Sequence, residues 1–147
     1  MRSWIFDTRP DLVLTLVRLV LAGVFLPHGL QKTVGWFGGY GYTGTMQYFT
    51  GKMGIPAPLA FAAIAAETLG PIALVLGLGG RVAAAAIVVV MAVAVATTHL
   101  PHGFFMNWFG NQNGEGFEFH LLAVALALVV VLRGSGAYSV DAWIAGR

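Results

Sequence analysis

The chain has no cysteine and very little charge: Lys, Arg, Asp and Glu together make up 10% of its 147 residues. Without a thiol it can build no disulfide, no thiolate metal site and no thiol relay of its own, so any redox chemistry it serves needs another carrier. A charged fraction this low excludes an ordinary soluble domain, where roughly a quarter of residues are charged. The net charge of +2 comes from scattered Lys and Arg set against few acids. That pattern lacks the clustered basic face of a nucleic-acid binder, and no nucleic-acid partner is expected.

What the sequence has instead is apolar length, with 58% hydrophobic residues. An apolar helix of about 20 residues, rising about 1.5 Å per residue, crosses a hydrocarbon core of about 30 Å. Four runs of roughly that length are present, at residues 12–30, 56–78, 82–99 and 117–132. They consume most of the chain, so residues 1–147 are expected to form one domain with the lipid bilayer as its first partner. The expected fold is all-α, a polytopic membrane four-helix bundle with two long loops on its outer face. The first run is long, follows Asp7 and Asp11 and leads directly into His28, Gln31 and Lys32, so it reads as a retained span rather than a signal peptide.

Orientation follows from the short loops, because cytoplasmic loops carry the excess of Lys and Arg. Arg2, Arg9, Arg81, Arg133 and Arg147 fall on one side, against Lys32 and Lys52 on the other, which predicts cytoplasmic termini. The two long loops, 31–55 and 100–116, then emerge together on the outer face. Both are rich in Gly, aromatics and amides, from Gly35 to Tyr42 in one and from Gly103 to Gln112 in the other. Trp and Tyr favour the headgroup level, so the loops read either as an aromatic belt with tight turns or as a cap over a ligand. Ala62, Ala66 and Gly70 on the second span, and Ala92 and Ala96 on the third, are spaced by four residues and predict close helix approach.

Arg18 and Glu67 lie inside the runs, at about 10 Å and about 15 Å from the cytoplasmic end by helical rise. A lone charge at such depth is costly, so each is expected to pair or to neutralise. One reading is a structural ion pair between Arg18 and Glu67 that sets helix register. The other is a proton-accepting Glu67 beneath a binding cavity.

All four histidines fall at the outer ends of the runs: His28 closes the first, His99 the third, His102 begins the next loop and His120 opens the fourth. Glu115 and Glu118, with Gln31, Asn107, Asn111 and Gln112, would join them in a polar mouth over an apolar bundle. Three uses compete: metal ligation, binding and protonation of a quinone-like ring, and simple hydration at the interface. Pro101 interrupts the helix that would set His99 and His102 on one face, and Glu118 and His120, two apart, diverge on a helix. No metal ligand set is therefore assigned, while metal or haem between two of the histidines stays open.

The segments His28-Gly29-Leu30-Gln31-Lys32, Gly38-Gly39, Gly54-Ile55-Pro56, Glu67-Thr68-Leu69-Gly70, and His99 with Gly103-Phe104-Phe105, set on four short spans, resemble the DoxX family of small bacterial membrane proteins over nearly the whole chain. The resemblance implies redox work at the bacterial inner (plasma) membrane, often beside partner proteins. Members include a membrane subunit of thiosulfate:quinone oxidoreductase, a protein of methylamine-dehydrogenase maturation, and proteins that complex with superoxide dismutase and thiol-handling enzymes. His28, Gln31, Lys32, Glu67 and His99 occupy positions that match the family's motif. The missing cysteine speaks against thiol exchange by this chain itself.

The expectation that joins these features is a quinone-associated oxidoreductase component with quinone as its cofactor. Glu67, His28 and His99 are the candidate catalytic residues, and Gln31, Lys32, His102, Asn107, Trp108, Glu118 and His120 the candidate ligand contacts. Two alternatives stand beside it. One is a non-catalytic membrane anchor or assembly partner for a redox enzyme; the other is a small-molecule or metal transporter, which four spans would serve best as a homo-oligomer.

Overall fold

Asp11 starts the first helix: its carboxylate accepts the amide N–H of Val13 at 2.7 Å and of Leu14 at 3.4 Å, satisfying two of the donors a helix leaves unpaired at its N-terminus. The computed structural model describes residues 4–146, so Arg2 and Arg147, counted above toward orientation, lie outside the described residues. The helix so begun, α1 (Leu12–Thr33), runs on to Gly35, which turns left-handed at φ 78° and donates its N–H to the Leu30 carbonyl.

The segment expected as a first long loop is in fact mostly helical. A 3₁₀ turn at Trp36–Gly38 leads into α2 (Gly41–Gln47) and a π-helical turn at Tyr48–Lys52. Glycine makes this folding back sterically open. A Cβ at Gly39 would stand 2.3 Å from the Gln31 carbonyl, so α2 doubles tightly onto the end of α1.

Helix α3 (Ala57–Leu76) follows Pro56 and ends at left-handed Gly77, with Leu78 donating to the Ala73 carbonyl at 2.9 Å. Helix α4 (Gly80–Ala94) continues through a π-helical turn, Val95–His99, and a 3₁₀ turn, Leu100–His102. Helix α5 (Glu118–Arg133) and the short α6 (Val140–Ile144) complete the chain.

Among the described residues, α1, α3 and the continuous helix Gly80–His102 are each long and apolar enough to cross a membrane. The fourth expected span, α5, has 16 residues, or about 24 Å of rise, short of an unaided crossing. Helix α1 packs against α3 and α5, and α4 packs against the same two. Between them lies an apolar core that includes Leu21, Phe25, Leu74, Ile87, Met91 and Val130. Leu12, Val89 and Leu122 instead turn outward, more than 60% exposed. In water such a surface would be unstable; against lipid tails it is the expected exterior. Of the small residues expected to line helix contacts, Gly70 does so, 3.8 Å in projected Cβ distance from the Ala83 carbonyl, whereas Ala92 and Ala96 face outward.

Two buried arginines hold the end that carries α6. Arg18 donates to the carbonyls of Leu74 and Val75 in the last turn of α3, and to Ser135 and Tyr138. Arg81 donates to Val131 near the end of α5 and twice to Asp7, with its guanidinium 4.7 Å from the Trp4 ring centre. Both cations thus meet the partial negative charge of helix C-terminal carbonyls. At the opposite dipole sign, Asp141 accepts the amides of Gly79 and Gly80 at the start of α4 and the Ser135 hydroxyl at 2.5 Å. These bonds correct the expected pairing of Arg18 with Glu67. Arg18 lies level with Leu74, seven residues along α3 from Glu67, a rise of about 10 Å, and its donors are taken by carbonyls.

Candidate functional site

Gly29 sets the register of the site. A Cβ there would fall 2.1 Å from the Glu67 carbonyl oxygen, so α1 and α3 approach almost backbone to backbone at this level, and the Thr68 hydroxyl lies 3.3 Å from the Gly29 carbonyl. One turn further along α1, Lys32 reaches the Glu67 carboxylate with Nζ 3.1 Å from Oε1. Glu67 is buried and Lys32 only partly so. The cation that answers the buried acid is therefore Lys32.

A second polar group comes from α4 and α5. The π-helical turn Val95–His99 inserts one residue into the helix, shifting the side chains beyond it around the axis and bringing His99 against His120, with ring centres 4.0 Å apart. His99 Nδ1 lies 2.8 Å from the Glu115 carbonyl. His120 is buried, and its Nδ1 is closed off with no hydrogen-bond partner among the described residues. His28 stands between Phe25 and Phe119, whose ring centres are 6.3 and 6.5 Å away.

All of these groups open onto one cavity of about 1070 Å³. His28, Lys32, Glu67, His99 and His120, together with Thr97, Thr98 and Glu115, supply its polar part. Its walls are otherwise mainly apolar, from Ala62, Ala66, Val89 and Val93 on α3 and α4 to Tyr48, Phe49 and Met53 beyond α2. Leu59 and Val89, both on the lining and both exposed, mark where the cavity meets the outer surface of α3 and α4. A space of this size, apolar with a few convergent polar groups, is built to hold an amphipathic organic molecule.

Other sequence candidates lie elsewhere. His102 follows the 3₁₀ turn away from His99 and lines a separate recess of about 340 Å³ with Phe104, Phe105 and Gln112. Gln31 donates from its amide to the Phe37 carbonyl and ties α1 to the following turn. Glu118 accepts the Met106 amide and the Trp108 indole N–H, both at 2.9 Å. Asn107 donates its backbone amide to Glu115 at 2.6 Å and exchanges bonds with Gln112. Asn107, Trp108 and Glu118 thus shape the segment between α4 and α5 and lie off the cavity lining, although Glu115 and Met106 of that segment border it. Among the described residues, no three His, Asp or Glu side chains converge on a point that could hold a metal ion. The contribution of Tyr48, Phe49 and Met53 was not legible in sequence, where they read as loop residues.

The DoxX family profile matches residues 13–100, more than half of the chain. That stretch holds Gly29, the Lys32–Glu67 pair and His99, while His120 lies beyond it. A Bacillus subtilis (strain 168) protein named "Putative oxidoreductase CatD" is 27% identical over 129 residues, covering 88% of this chain and 84% of that protein. No solved structure matches the chain. The profile match over more than half of the chain leads to one assignment: this chain is a member of the DoxX family.

Proposed function

We propose that the chain is the membrane component of a quinone-linked oxidoreductase, with the cavity between α1, α3, α4 and α5 as the seat of the quinone ring. One observation carries this reading: a large, mainly apolar cavity that reaches the apolar outer surface of α3 and α4 and ends on three imidazoles and the Lys32–Glu67 ion pair. Apolar walls suit a ring and its isoprenoid tail, while His28, His99, His120 and Lys32 suit the ring oxygens. A bound quinone would supply the two-electron, two-proton exchange that no side chain of this chain can perform. Glu67, paired with Lys32, would accept or return a proton at the cavity wall. The oxidoreductase name of the Bacillus subtilis relative supports the same class of activity.

In this reading α5 completes a four-helix membrane bundle, its short apolar length extended by flanking residues, in the bacterial inner membrane with both termini cytoplasmic. The test is the ligand content of protein extracted gently from native membranes. Quinone should co-purify near one per chain, and His120→Ala, which removes the imidazole the cavity offers as donor, should lower its retention about tenfold, as expected for one lost hydrogen bond in an apolar site. Extracts free of quinone, and an apoprotein that fails to take up added quinone, would sink the proposal.

A second reading, docking of a partner redox enzyme, draws on the segment between α4 and α5. Trp108 and Phe109 project outward, 76% and 90% exposed, on a loop held in shape by Glu115 and Glu118. Cross-linking from Phe109 in native membranes should then capture one defined protein, and a pattern no different from that of a lipid-facing position such as Val89 would remove this reading.

A further inference from the structure

Resting on the quinone reading, we infer that the cavity discriminates redox state: its two adjoining histidines, His99 and His120, are a donor and acceptor pair that fits the hydroxyl of the reduced ring and not the carbonyl of the oxidised one. The assignment follows from which nitrogen of each ring is already committed. Glu115 meets His99 through a backbone carbonyl, which can only accept, so Nδ1 of His99 carries the proton and donates. In the neutral ring Nε2 is then a bare acceptor.

His120 has the opposite arrangement. Its Nδ1 is enclosed and without a partner, and a buried N–H left unpaired costs more than a buried lone pair. The neutral ring therefore keeps its proton on Nε2, the nitrogen not closed off by protein, and His120 offers a donor. Among the described residues neither Nε2 has a protein partner, and both rings line the cavity. With ring centres 4.0 Å apart, one oxygen can bridge them, accepting from His120 and donating to His99. A quinol hydroxyl does both. A quinone carbonyl can only accept, so its second lone pair would face the lone pair of His99. Other donors on the lining are engaged elsewhere: Lys32 meets the Glu67 carboxylate, the Thr97 hydroxyl donates to the Val93 carbonyl, and the Thr98 hydroxyl lies against that of Thr97.

The experiment uses the full-length protein in detergent under anaerobic conditions and measures binding of a short-tailed benzoquinone, its quinol, and the dimethyl ether of that quinol. The quinol should bind about tenfold or more tighter than the quinone, the size of one hydrogen bond made rather than left unmade. The dimethyl ether, which keeps the ring and loses the O–H, should bind no better than the quinone. His99→Phe should remove the preference, and the ether comparison tests the same point on the unaltered chain should that variant fail to fold. Equal affinity for quinone and quinol, or an ether that binds as well as the quinol, overturns the inference while leaving the quinone reading intact. If none of the three binds, both fall together.

Discussion

Lys32 and Glu67 illustrate what a single residue decides in an apolar interior. Glu67 had been recognisable as a charge that needs a partner, with Arg18 the expected one, yet the partner is set by a glycine: Gly29 lets α1 and α3 close until Lys32, one turn on, meets the acid at 3.1 Å. Removing one member of a buried pair leaves the other uncompensated, which costs more than removing both. Lys32→Met should therefore lower stability in detergent by about 1–3 kcal/mol, scaled down from a fully buried pair because Lys32 is partly exposed. Lys32→Met combined with Glu67→Gln should recover at least half of that loss in a thermal melt, and strictly additive losses would show the pair to be uncoupled. Arg18 behaves differently because its planar fork reaches four carbonyls at once, on α3 and on the segment before α6. An ammonium cannot reproduce that fork. Arg18→Lys is expected to melt closer to Arg18→Met than to the native protein.

At the scale of elements, two glycines on α1 separate packing from propensity. Gly23 has nothing within 4 Å of a projected Cβ, so Gly23→Ala should be neutral or stabilising by up to about 1 kcal/mol through helix propensity alone. Gly29→Ala places a methyl group against the Glu67 backbone and must push α3 away. It should destabilise by about 2 kcal/mol or more, as overpacking does, and loosen quinone retention with it. Equal melting temperatures for the two variants would contradict the close α1–α3 approach. The existence of the helices was readable from apolar runs, but their ends were not all so. Helix α4 extends to His102 through a π-helical turn that no pattern of hydrophobicity announces, and the stretch 36–52 folds into short helices because glycine backbones press on α1. Those two departures are what bring His99, Tyr48 and Phe49 to the cavity.

For the whole molecule, the absence of cysteine is an experimental advantage, since any introduced thiol is unique. With Asn113→Cys in the segment between α4 and α5 and Gly146→Cys near the C-terminus, an impermeant maleimide applied to intact spheroplasts should label the first and reach the second only after lysis. Labelling of both from outside would mean that α5 does not cross. The polar networks at the two ends of the helices also differ in kind. Arg18, Arg81 and Asp141 are saturated by carbonyls and amides, and they close their end. The histidine end keeps ring nitrogens that have no partner among the described residues, around an open cavity.

Composition and apolar periodicity by themselves determined that this chain lives in a membrane as helices, because burial of backbone hydrogen bonds in lipid leaves an apolar chain few other choices. They also determined that imidazoles gather at one end, since residue number along a helix of known rise is a depth. Which charges meet was decided only by the tertiary structure. A helix's rotation and its distance from its neighbour depend on side chains as small as the missing Cβ of Gly29, and a shift of one residue, such as the π-helical turn before His99, redirects every side chain beyond it. Sequence periodicity cannot register a change that small, while the pairing of Lys32 with Glu67 and of His99 with His120 turns on it.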